Sequence, residues 1–429
     1  MRFEPASRIA GALRPPPDKS ISHRAALVAA MCEEPVRVVN FLRADDTAST
    51  AAAIRTLGAV AELGESGSAG ADLAIRGVGL RGAGSSDGDI DVGNAGTLMR
   101  LLPGWLAGQG RGHWTLDGDK SIRRRPMDRI ADPLRAMGAS VECREGRFAP
   151  VVIDGRELHG ADHELPIASA QVKSCLLLAG LLAKGSTTVA EPQRTRDHTE
   201  IMLRNAGARV EVEGERVAVA PVERLVLDEV AVPGDFSSAA FFVVAATLVA
   251  GSELAITDSG LNPTRTGLLD VMVRMGANIE REDAPHDGGE AVGDLTVRSA
   301  PLRATTVEPG EVPLLIDELP LVALLGAFAD GTTVVRGAEE LRQKESDRIA
   351  TVTDGLRGLG ASIEATSDGF EVEGIGALRG GTIDSRGDHR LAMLGAVAGA
   401  ASQRGVEVRG FEAAAVSYPG FAADLELVT

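Results

Sequence analysis

Cysteine, lysine and long apolar runs are all scarce in this chain of 429 residues. Cys32, Cys143 and Cys175 are odd in number and have no CxxC spacing, which argues against a disulfide scaffold and a thiolate zinc site. The longest uncharged apolar run, residues 239–250, is far shorter than the roughly 20 residues that cross a bilayer. The first 20 residues lack an apolar signal core, so we expect a cytoplasmic protein.

Basic residues are outnumbered, 44 against 61 acidic, which gives a net charge of −17. This balance argues against nucleic acid or an anionic membrane surface as a partner. Lysine is rarer than arginine, with Lys19, Lys120, Lys173, Lys184 and Lys344 the complete set. Lys184 follows an apolar helix and is expected in solvent, whereas the other four fall inside polar clusters.

A pattern of a polar loop, about eleven apolar residues, a glycine and a β-like run occurs six times. Helices that are apolar nearly all round are buried helices. The six predicted helices begin at KSISHRAAL, NAGTLMRLL, SAQVKSCLL, DFSSAAFFV, IDELPLVAL and GDHRLAMLG.

A second, amphipathic helix follows five of the buried helices and ends in a glycine that directly precedes a strand pattern. These glycines are Gly58, Gly138, Gly207, Gly276 and Gly360, with spacings of 80, 69, 69 and 84 residues. One repeat therefore predicts a strand, a buried helix, a strand, an amphipathic helix and two more strands.

Six such repeats predict an α/β protein of two domains with three repeats each. Too few residues follow the sixth buried helix for its closing strands, and the N-terminal stretch can supply them. We therefore predict one domain from residues 1–17 plus 233–429 and a second from residues 18–232. The alternative is a single doubly wound sheet, which would show one glycine-rich phosphate turn and no period near 70 residues.

Polar residues crowd the starts of these helices, and many of them are cationic. The first turn of a helix favours acidic residues, so cations placed there repeatedly indicate anion sites. We infer a small-molecule enzyme with at least two anionic groups on its substrates. At the buried helices the crowded residues are Lys19, Ser20, Arg24, Asn94, Gly96, Thr97, Arg100, Ser169, Gln171, Lys173, Asp317, Glu318, Asp388, His389 and Arg390. At the amphipathic helices they are 123–125, Arg196, Asp197, Lys344, Glu345, Asp347 and Arg348.

Several of these residues have a plainer interpretation. Arg123 and Arg124 are interpreted as solvated charges, and Arg125 as functional. Asp317 fits a plain helix cap as well as a catalytic base. His389 is expected to be structural, since no second His or Cys stands at ligand spacing and the sequence predicts no metal. Residues 77–82 fit GxGxxG, but no helix pattern follows them, so no dinucleotide cofactor is predicted.

Nine blocks in order along the chain resemble those of the 5-enolpyruvylshikimate-3-phosphate synthases. The blocks are PDKSISHRAAL, GNAGTLMRLL, RRRPM, SAQVKSCLL, RTRDHTEIML, PGDFSSAAF, IDELP, QKESDRI and GDHRLAM. The resemblance implies two domains in an inside-out α/β barrel fold, each with three βαβαββ units, and an active site in the cleft between them. It also implies transfer of the enolpyruvyl group of phosphoenolpyruvate to the 5-hydroxyl of shikimate 3-phosphate, with release of phosphate, in aromatic amino-acid biosynthesis. No metal or organic cofactor is implied.

The resemblance also assigns site residues. Asp317 is similar to the base that takes the 5-hydroxyl proton, and Glu345, helped by Lys19, to the group that protonates the methylene carbon. The implied ligands of shikimate 3-phosphate are Lys19, Ser20, Arg24, Ser169, Gln171, Arg196, Asp317 and Lys344. The implied ligands of phosphoenolpyruvate are Lys19, Asn94, Gly96, Arg125, Gln171, Arg348 and Arg390.

Gly96 implies sensitivity to glyphosate, because an alanine there is the family's means of excluding the inhibitor. Two departures qualify the resemblance. Leu101 follows Arg100 where many members have proline, and residues 415–417 lack the lysine that some members carry before the aromatic–proline pair.

Two other functions compete with this one. A UDP-N-acetylglucosamine enolpyruvyl transferase would share the fold, but it has a Lys-Asn pair near the start and a cysteine in a mobile loop. This chain has Lys19 followed by Ser20 and no cysteine in residues 106–121. A non-catalytic scaffold of the same fold would have lost its acid–base groups, which are present here. We expect a monomer that acts on small molecules alone.

Overall fold

The computed structural model describes residues 1–66, 70–85, 88–284 and 289–429. The chain divides into two compact units. The described residues of 1–16, 233–285 and 291–429 form the first unit, and those of 17–232 and 286–290 form the second. Both chain termini therefore belong to the first unit.

The described residues form strands and helices that recur along the whole chain. The strands are β1 (Arg2–Phe3), β2 (Ala10–Leu13), β3 (Pro35–Leu42), β4 (Val60–Ser66), β5 (Gly70–Arg76), β6 (Asp89–Asp91), β7 (His113–Asp117), β8 (Ser140–Arg144), β9 (Phe148–Asp154), β10 (Asp162–Glu164), β11 (Thr187–Ala190), β12 (Val210–Glu213), β13 (Arg216–Val219), β14 (Glu229–Ala231), β15 (Glu253–Gly260), β16 (Asn278–Ala284), β17 (Val292–Arg298), β18 (Thr306–Val307), β19 (Thr332–Val335), β20 (Ser362–Ala365), β21 (Phe370–Glu373), β22 (Gly381–Asp384) and β23 (Val406–Arg409).

The α-helices are α1 (Lys19–Ala30), α2 (Asp45–Thr56), α3 (Gly96–Ala107), α4 (Asp128–Ala136), α5 (Ala170–Gly180), α6 (His198–Asn205), α7 (Phe236–Leu248), α8 (Gly267–Arg274), α9 (Val312–Leu315), α10 (Leu319–Phe328), α11 (Arg348–Gly358), α12 (His389–Ala401) and α13 (Phe421–Val428). Short 3-10 helices span Ile122–Arg124, Glu339–Gln343 and Phe411–Val416.

Five repeats form four-stranded sheets of one topology. In the sheet β6-β7-β9-β8, for example, the first two strands are parallel and β9 runs antiparallel to both β7 and β8. The same order recurs in β10-β11-β13-β12, β14-β3-β5-β4, β16-β17-β15-β2 and β18-β19-β21-β20 when each is read from its leading strand. The predicted repeat is confirmed, since each sheet brings together the four strands of one βαβαββ unit.

Each unit is completed by a strand from a distant part of the chain. In the second unit, β14 pairs in parallel with β3. It is the last strand of this unit in the sequence, yet it forms the first strand of the first repeat's sheet. In the first unit, β2 pairs in parallel with β15. The sixth repeat has a three-stranded sheet, β1-β23-β22, in which N-terminal β1 pairs antiparallel with β23.

The six predicted buried helices are confirmed as α1, α3, α5, α7, α10 and α12. In α7, every residue from Phe236 to Thr247 is buried. The helices α7, α10 and α12 pack on one another in the first unit, and α3 packs on both α1 and α5 in the second. Each unit therefore has its helices inside and its sheets outside, which is an inside-out α/β barrel. Among the described residues, no helix is long and apolar enough to cross a membrane.

The five repeated glycines follow the ends of the amphipathic helices α2, α4, α6, α8 and α11. All five have positive φ, between 86° and 102°. A residue with a Cβ atom is strained in this conformation, so glycine is favoured as the residue that ends the helix and begins the strand.

Candidate active site

Lys19 and Ser20 begin α1 in the second unit. Asp18 caps the helix, and its side chain accepts a hydrogen bond from the backbone N–H of Ile21 at 2.8 Å. The ammonium of Lys19 lies 3.0 Å from a carboxylate oxygen of Asp46, and 19% of the Lys19 side chain is exposed. Lys19 is thus held by one carboxylate beside a helix N-terminus, which attracts anions.

Arg24 lies one turn further along α1 and is buried. Its guanidinium donates hydrogen bonds to the hydroxyls of Thr199 at 2.7 Å and Ser174 at 3.1 Å, and to the carbonyl of Ser20 at 3.0 Å. Burial lowers the pKa of Arg24 to about 10, although Glu200 opposes this shift. These hydrogen-bond partners carry no charge, so they orient the guanidinium without neutralising it. Arg24 therefore remains a cation at neutral pH.

Arg125 lies against the start of α3. Its Nη2 donates to the side-chain oxygen of Asn94 and to the hydroxyl of Ser121, both at 3.1 Å. A Cβ atom added to Gly96 would lie 2.6 Å from Nη1 of Arg125 and 3.7 Å from Nη1 of Arg100. Gly96 therefore makes room for a guanidinium at the positive end of the helix.

The three neighbouring arginines differ in burial. Arg125 is buried, whereas Arg123 and Arg124 are exposed. Arg123 forms an ion pair with Asp117, with 51% of its side chain exposed. Arg125 is therefore the arginine of this run that lies at the α3 site.

The start of α5 is joined to α3 through Gln171. The side-chain oxygen of Gln171 accepts from Arg100 at 2.5 Å, and its amide nitrogen donates to the hydroxyl of Thr97 at 3.1 Å. Ser169 caps α5, and its hydroxyl accepts from the N–H of Val172 at 3.4 Å. Arg196 precedes α6 and is partly buried, close enough to Arg24 to affect its pKa.

Lys173 has a structural position. Its ammonium lies 2.7 Å from Glu191 and 2.8 Å from Glu200, and all three side chains are at most 2% exposed. The sequence placed Lys173 in a polar cluster, and the structure shows that this lysine joins α5 to the segment leading into α6. It supports the elements that carry Gln171 and Arg196.

The first unit has its own cluster, centred on Arg348 at the start of α11. The guanidinium lies 2.8 Å from Asp388, 2.6 Å from Glu345 and 3.4 Å from Asp317. Burial alone would lower the pKa of Arg348, but the carboxylates of Asp388, Glu345 and Asp317 raise it above its usual value. Arg348 thus holds the two predicted acid–base residues, Asp317 and Glu345, on one guanidinium.

Arg390 contacts Asp317 from α12. Its Nη2 lies 3.8 Å from a carboxylate oxygen of Asp317, and its Nη1 donates to the Asp317 carbonyl at 3.1 Å. Asp388, the residue before α12, caps this helix, and its side chain accepts a hydrogen bond from the N–H of Arg390 at 2.9 Å. His389 is buried in the first turn of this helix, as expected for a structural residue.

Lys344 precedes α11 and is partly buried. Burial lowers the pKa of Lys344, while Asp317, Glu340 and Glu345 oppose the shift and Arg348 adds to it. Lys344 is therefore within electrostatic reach of both Asp317 and Glu345.

Sequence reasoning missed Arg265 and the role of Glu318. Arg265 lies 3.0 Å from Glu318 and 3.8 Å from Asp317, and Glu318 is fully buried. The repeat contained a signal for Arg265, because residues 262–266 precede α8 as residues 344–347 precede α11. Asp317 lies in the turn before α10, among the guanidinium groups of Arg265, Arg348 and Arg390.

The predicted site residues thus form two groups. Asp317, Lys344, Glu345, Arg348 and Arg390 come together in the first unit. The residues on α1, α3 and α5, with Arg125 and Arg196, belong to the second. That both groups line one cleft stays a prediction. Within the described ranges, no cluster of three or more His, Cys, Asp or Glu side chains could hold a metal ion.

Comparison with known proteins gives one consistent result. The family model described as EPSP synthase (3-phosphoshikimate 1-carboxyvinyltransferase) matches residues 3–425. A curated 3-phosphoshikimate 1-carboxyvinyltransferase of Acidithiobacillus ferrooxidans is 48% identical over 419 residues, which cover 98% of this chain and 95% of the relative. Another of the same name, from Desulfitobacterium hafniense, is 47% identical over 429 residues, covering 100% of this chain and 97% of the relative.

Solved structures agree with the sequence relatives. An EPSP synthase from Acinetobacter baumannii superimposes with a TM-score of 0.87 at 39% identity, covering 100% of this chain and 97% of that one. The enolpyruvyl transferase NikO from Streptomyces tendae, at 20% identity and a TM-score of 0.76, covers 100% of this chain and 96% of its own and shares the fold. On the family match over nearly the whole chain, this protein belongs to the EPSP synthase family.

Proposed function

We propose that this chain transfers the enolpyruvyl group of phosphoenolpyruvate to the 5-hydroxyl of shikimate 3-phosphate, a step of aromatic amino-acid biosynthesis. The observation that carries the proposal is the position of Asp317, with guanidinium nitrogens of Arg348, Arg265 and Arg390 at 3.4, 3.8 and 3.8 Å. A carboxylate surrounded by cations suits a base that works beside a multiply charged anion. The relatives' name, 3-phosphoshikimate 1-carboxyvinyltransferase, supports shikimate 3-phosphate as the acceptor of the transferred group.

The proposal divides the ligands between the two substrates. Shikimate 3-phosphate is bound by Lys19, Ser20, Arg24, Ser169, Gln171, Arg196, Asp317 and Lys344. Phosphoenolpyruvate is bound by Lys19, Asn94, Gly96, Arg125, Gln171, Arg348 and Arg390. Arginine is suited to both tasks, because its planar fork grips carboxylate and phosphate oxygens in pairs.

The chemistry needs one base and one acid. Asp317 takes the proton of the 5-hydroxyl as that oxygen attacks C2 of phosphoenolpyruvate, and Glu345, assisted by Lys19, donates a proton to C3. The adduct then loses a proton from C3 and its C2–O bond to phosphate breaks. Glu345 takes the C3 proton back, the electron pair of that C–H bond restores the double bond, and phosphate leaves with the proton held by Asp317.

Both groups of residues serve this single reaction in the proposal. Glu345 and Asp317 are each in reach of Arg348, at 2.6 and 3.4 Å, so the acid and the base share one orienting cation. Lys19 and Arg125 add positive charge from the second unit. Electrostatic stabilisation of developing negative charge is a large part of catalysis on such substrates.

A competition between acceptors tests the proposed function. The protein is mixed with phosphoenolpyruvate and equal concentrations of shikimate 3-phosphate and UDP-N-acetylglucosamine, and the products are identified by mass spectrometry. We expect a carboxyvinyl group on shikimate 3-phosphate alone. Transfer to the nucleotide sugar, or to neither acceptor, contradicts the proposal.

The proposed enzyme is a cytoplasmic monomer that is inhibited by glyphosate. Inhibition is expected because Gly96 leaves space beside Arg125, where phosphoenolpyruvate and a similar anion compete. Light scattering in solution should give the mass of one chain, 44.5 kDa. The mass of a dimer would contradict the proposed monomer. Full activity in millimolar glyphosate would contradict the proposed inhibition.

A further inference from the structure

Glu318 is a fully buried carboxylate next to the proposed base, and the reaction as derived does not use it. Nη1 of Arg265 lies 3.2 and 3.0 Å from the two carboxylate oxygens of Glu318. The hydroxyl of Ser237, on α7, donates a short hydrogen bond to the same carboxylate. A carboxylate removed from water in this way is retained only when cations and donors satisfy it.

The same network extends to Arg390. Its Nη1 donates to the hydroxyl of Ser237 at 2.5 Å and lies 3.4 Å from Glu318. Its Nη2 lies 3.8 Å from Asp317, as does Nη1 of Arg265. Glu318 and Asp317 are therefore adjacent carboxylates that share two guanidinium groups, and Glu318 is the closer partner of both.

The charges around Asp317 can be assigned element by element. Arg265 faces it from the segment before α8, Arg348 from α11 and Arg390 from α12, and Lys344 acts on it from the segment before α11. The opposing charges near Asp317 are Glu318, Glu345 and Asp388. Glu345 and Asp388 pair with Arg348, whereas Glu318 pairs with both Arg265 and Arg390.

We propose that Glu318 is a positioning residue whose negative charge sets the strength of Asp317 as a base. It does so by drawing Arg265 and Arg390 away from Asp317 and by offsetting their charge. Without the charge of Glu318, the nearest carboxylate to both guanidinium groups would be that of Asp317. Their positive charge would then favour the ionised form of Asp317. Asp317 would then take a proton less readily. This inference rests on the proposed function, since it takes Asp317 as the base.

A purely structural role for Glu318 makes a different prediction. A carboxylate that only fills space and satisfies Arg265 would, when changed, lower stability and the amount of folded enzyme. It would leave the pH dependence of kcat in the folded enzyme unchanged. The pH dependence of kcat therefore separates the two roles.

The test measures kcat against pH for the wild type and for two variants, one of which removes a negative charge and the other a positive charge. Glu318→Gln keeps the shape and removes the negative charge, so the acid limb of the profile should move to lower pH by about one unit. The plateau value should fall by up to about tenfold, because a weaker base takes the proton more slowly. Arg265→Gln removes a positive charge and should move the acid limb to higher pH.

Two controls complete the design. Ser237→Ala removes a hydrogen bond from the same carboxylate without changing its charge, so its acid limb should stay at the wild-type pH. The double variant Glu318→Gln/Arg265→Gln removes both charges and should return the acid limb to within about half a unit of wild type, as expected for coupled neighbours. Circular dichroism establishes that each variant is folded, and both folded single variants are expected to shift in the stated directions.

An unmoved acid limb in a folded Glu318→Gln or Arg265→Gln variant overturns the inference, whatever the loss of activity. The wild type is measured first, with and without shikimate 3-phosphate. Absence of acceptor-dependent phosphate release there is a failure of the proposed function. If the wild type is active but the acid limb does not move in the variants, this inference alone has failed.

Discussion

A methyl group on Gly96 would lie 2.6 Å from Nη1 of Arg125, closer than a carbon and a nitrogen can approach without movement. Arg125 is buried and hydrogen-bonded to Asn94 and Ser121, so the added methyl group would displace its guanidinium from these hydrogen bonds. We predict that Gly96→Ala raises the KM for phosphoenolpyruvate about tenfold and weakens inhibition by glyphosate further. Steady-state kinetics at varied phosphoenolpyruvate measure both.

Gly110→Ala is the matched control for this prediction. A Cβ atom at Gly110 would meet nothing within 4 Å. Its kinetics should equal those of the wild type. An unchanged KM in Gly96→Ala would mean that Arg125 does not hold phosphoenolpyruvate.

Asp317→Asn should remove the base while preserving the side-chain shape. We expect kcat to fall by about 10² to 10⁴-fold, the usual contribution of a positioned base. Asp330→Asn, which changes an exposed aspartate two residues after α10, should have wild-type activity. An Asp317→Asn variant with more than a tenth of the wild-type kcat would assign the proton transfer to another group.

Lys173→Met should destabilise the protein strongly. The change leaves Glu191 and Glu200 buried without their shared cation, and breaking a buried ion pair costs about 3–5 kcal/mol. Urea unfolding followed by circular dichroism measures the free energy of unfolding. Lys184→Met changes an exposed lysine, 73% accessible, and should have little effect. Equal stabilities of the two variants would mean that the buried pairs contribute nothing.

His23 makes stability depend on pH. Its imidazole is buried against the hydroxyl of Thr50 at 2.6 Å, and burial lowers the pKa of His23 to about 3, although Asp46 opposes the shift. The unfolded chain binds this proton below about pH 6.5 and the folded chain does not, so stability is complete above pH 6.5 and is lost as the pH falls towards 3. The loss is about 1.4 kcal/mol per pH unit.

The comparison of His23→Gln with the wild type tests this dependence. Between pH 6.5 and 4.5, the wild type should lose about 2–3 kcal/mol more than the variant in urea unfolding. His159→Gln, at an exposed histidine, should keep the wild-type slope. Parallel slopes for wild type and His23→Gln would contradict a buried neutral imidazole.

The repeat made the fold predictable, because six similar patterns constrain one another. Gly58 and Gly276, for example, are predicted as helix ends from sequence alone, and each has positive φ. Local patterns also separated Arg125 from the exposed Arg123. These features depend on residues near one another in the sequence, where helix and turn preferences act.

The partners of buried charges were not predictable in the same way. Lys173 pairs with Glu191 and Glu200, and Arg265 with Glu318, across 18, 27 and 53 positions in the chain. Nothing in the local sequence distinguishes a charge that is buried and paired from one in solvent. The tertiary packing of α5, α6 and α10 decides which is which.

Phosphate release from phosphoenolpyruvate tests the central claim most directly, that cations and carboxylates of both units serve one transfer reaction. It is measured in the wild type with and without shikimate 3-phosphate, and in Lys19→Met and Asp317→Asn with both substrates. The account predicts that phosphate release requires shikimate 3-phosphate and that one phosphate is released for each shikimate 3-phosphate consumed. In both variants, the rate of release should fall to near background. Release without shikimate 3-phosphate, or a wild-type rate in Lys19→Met, would contradict it.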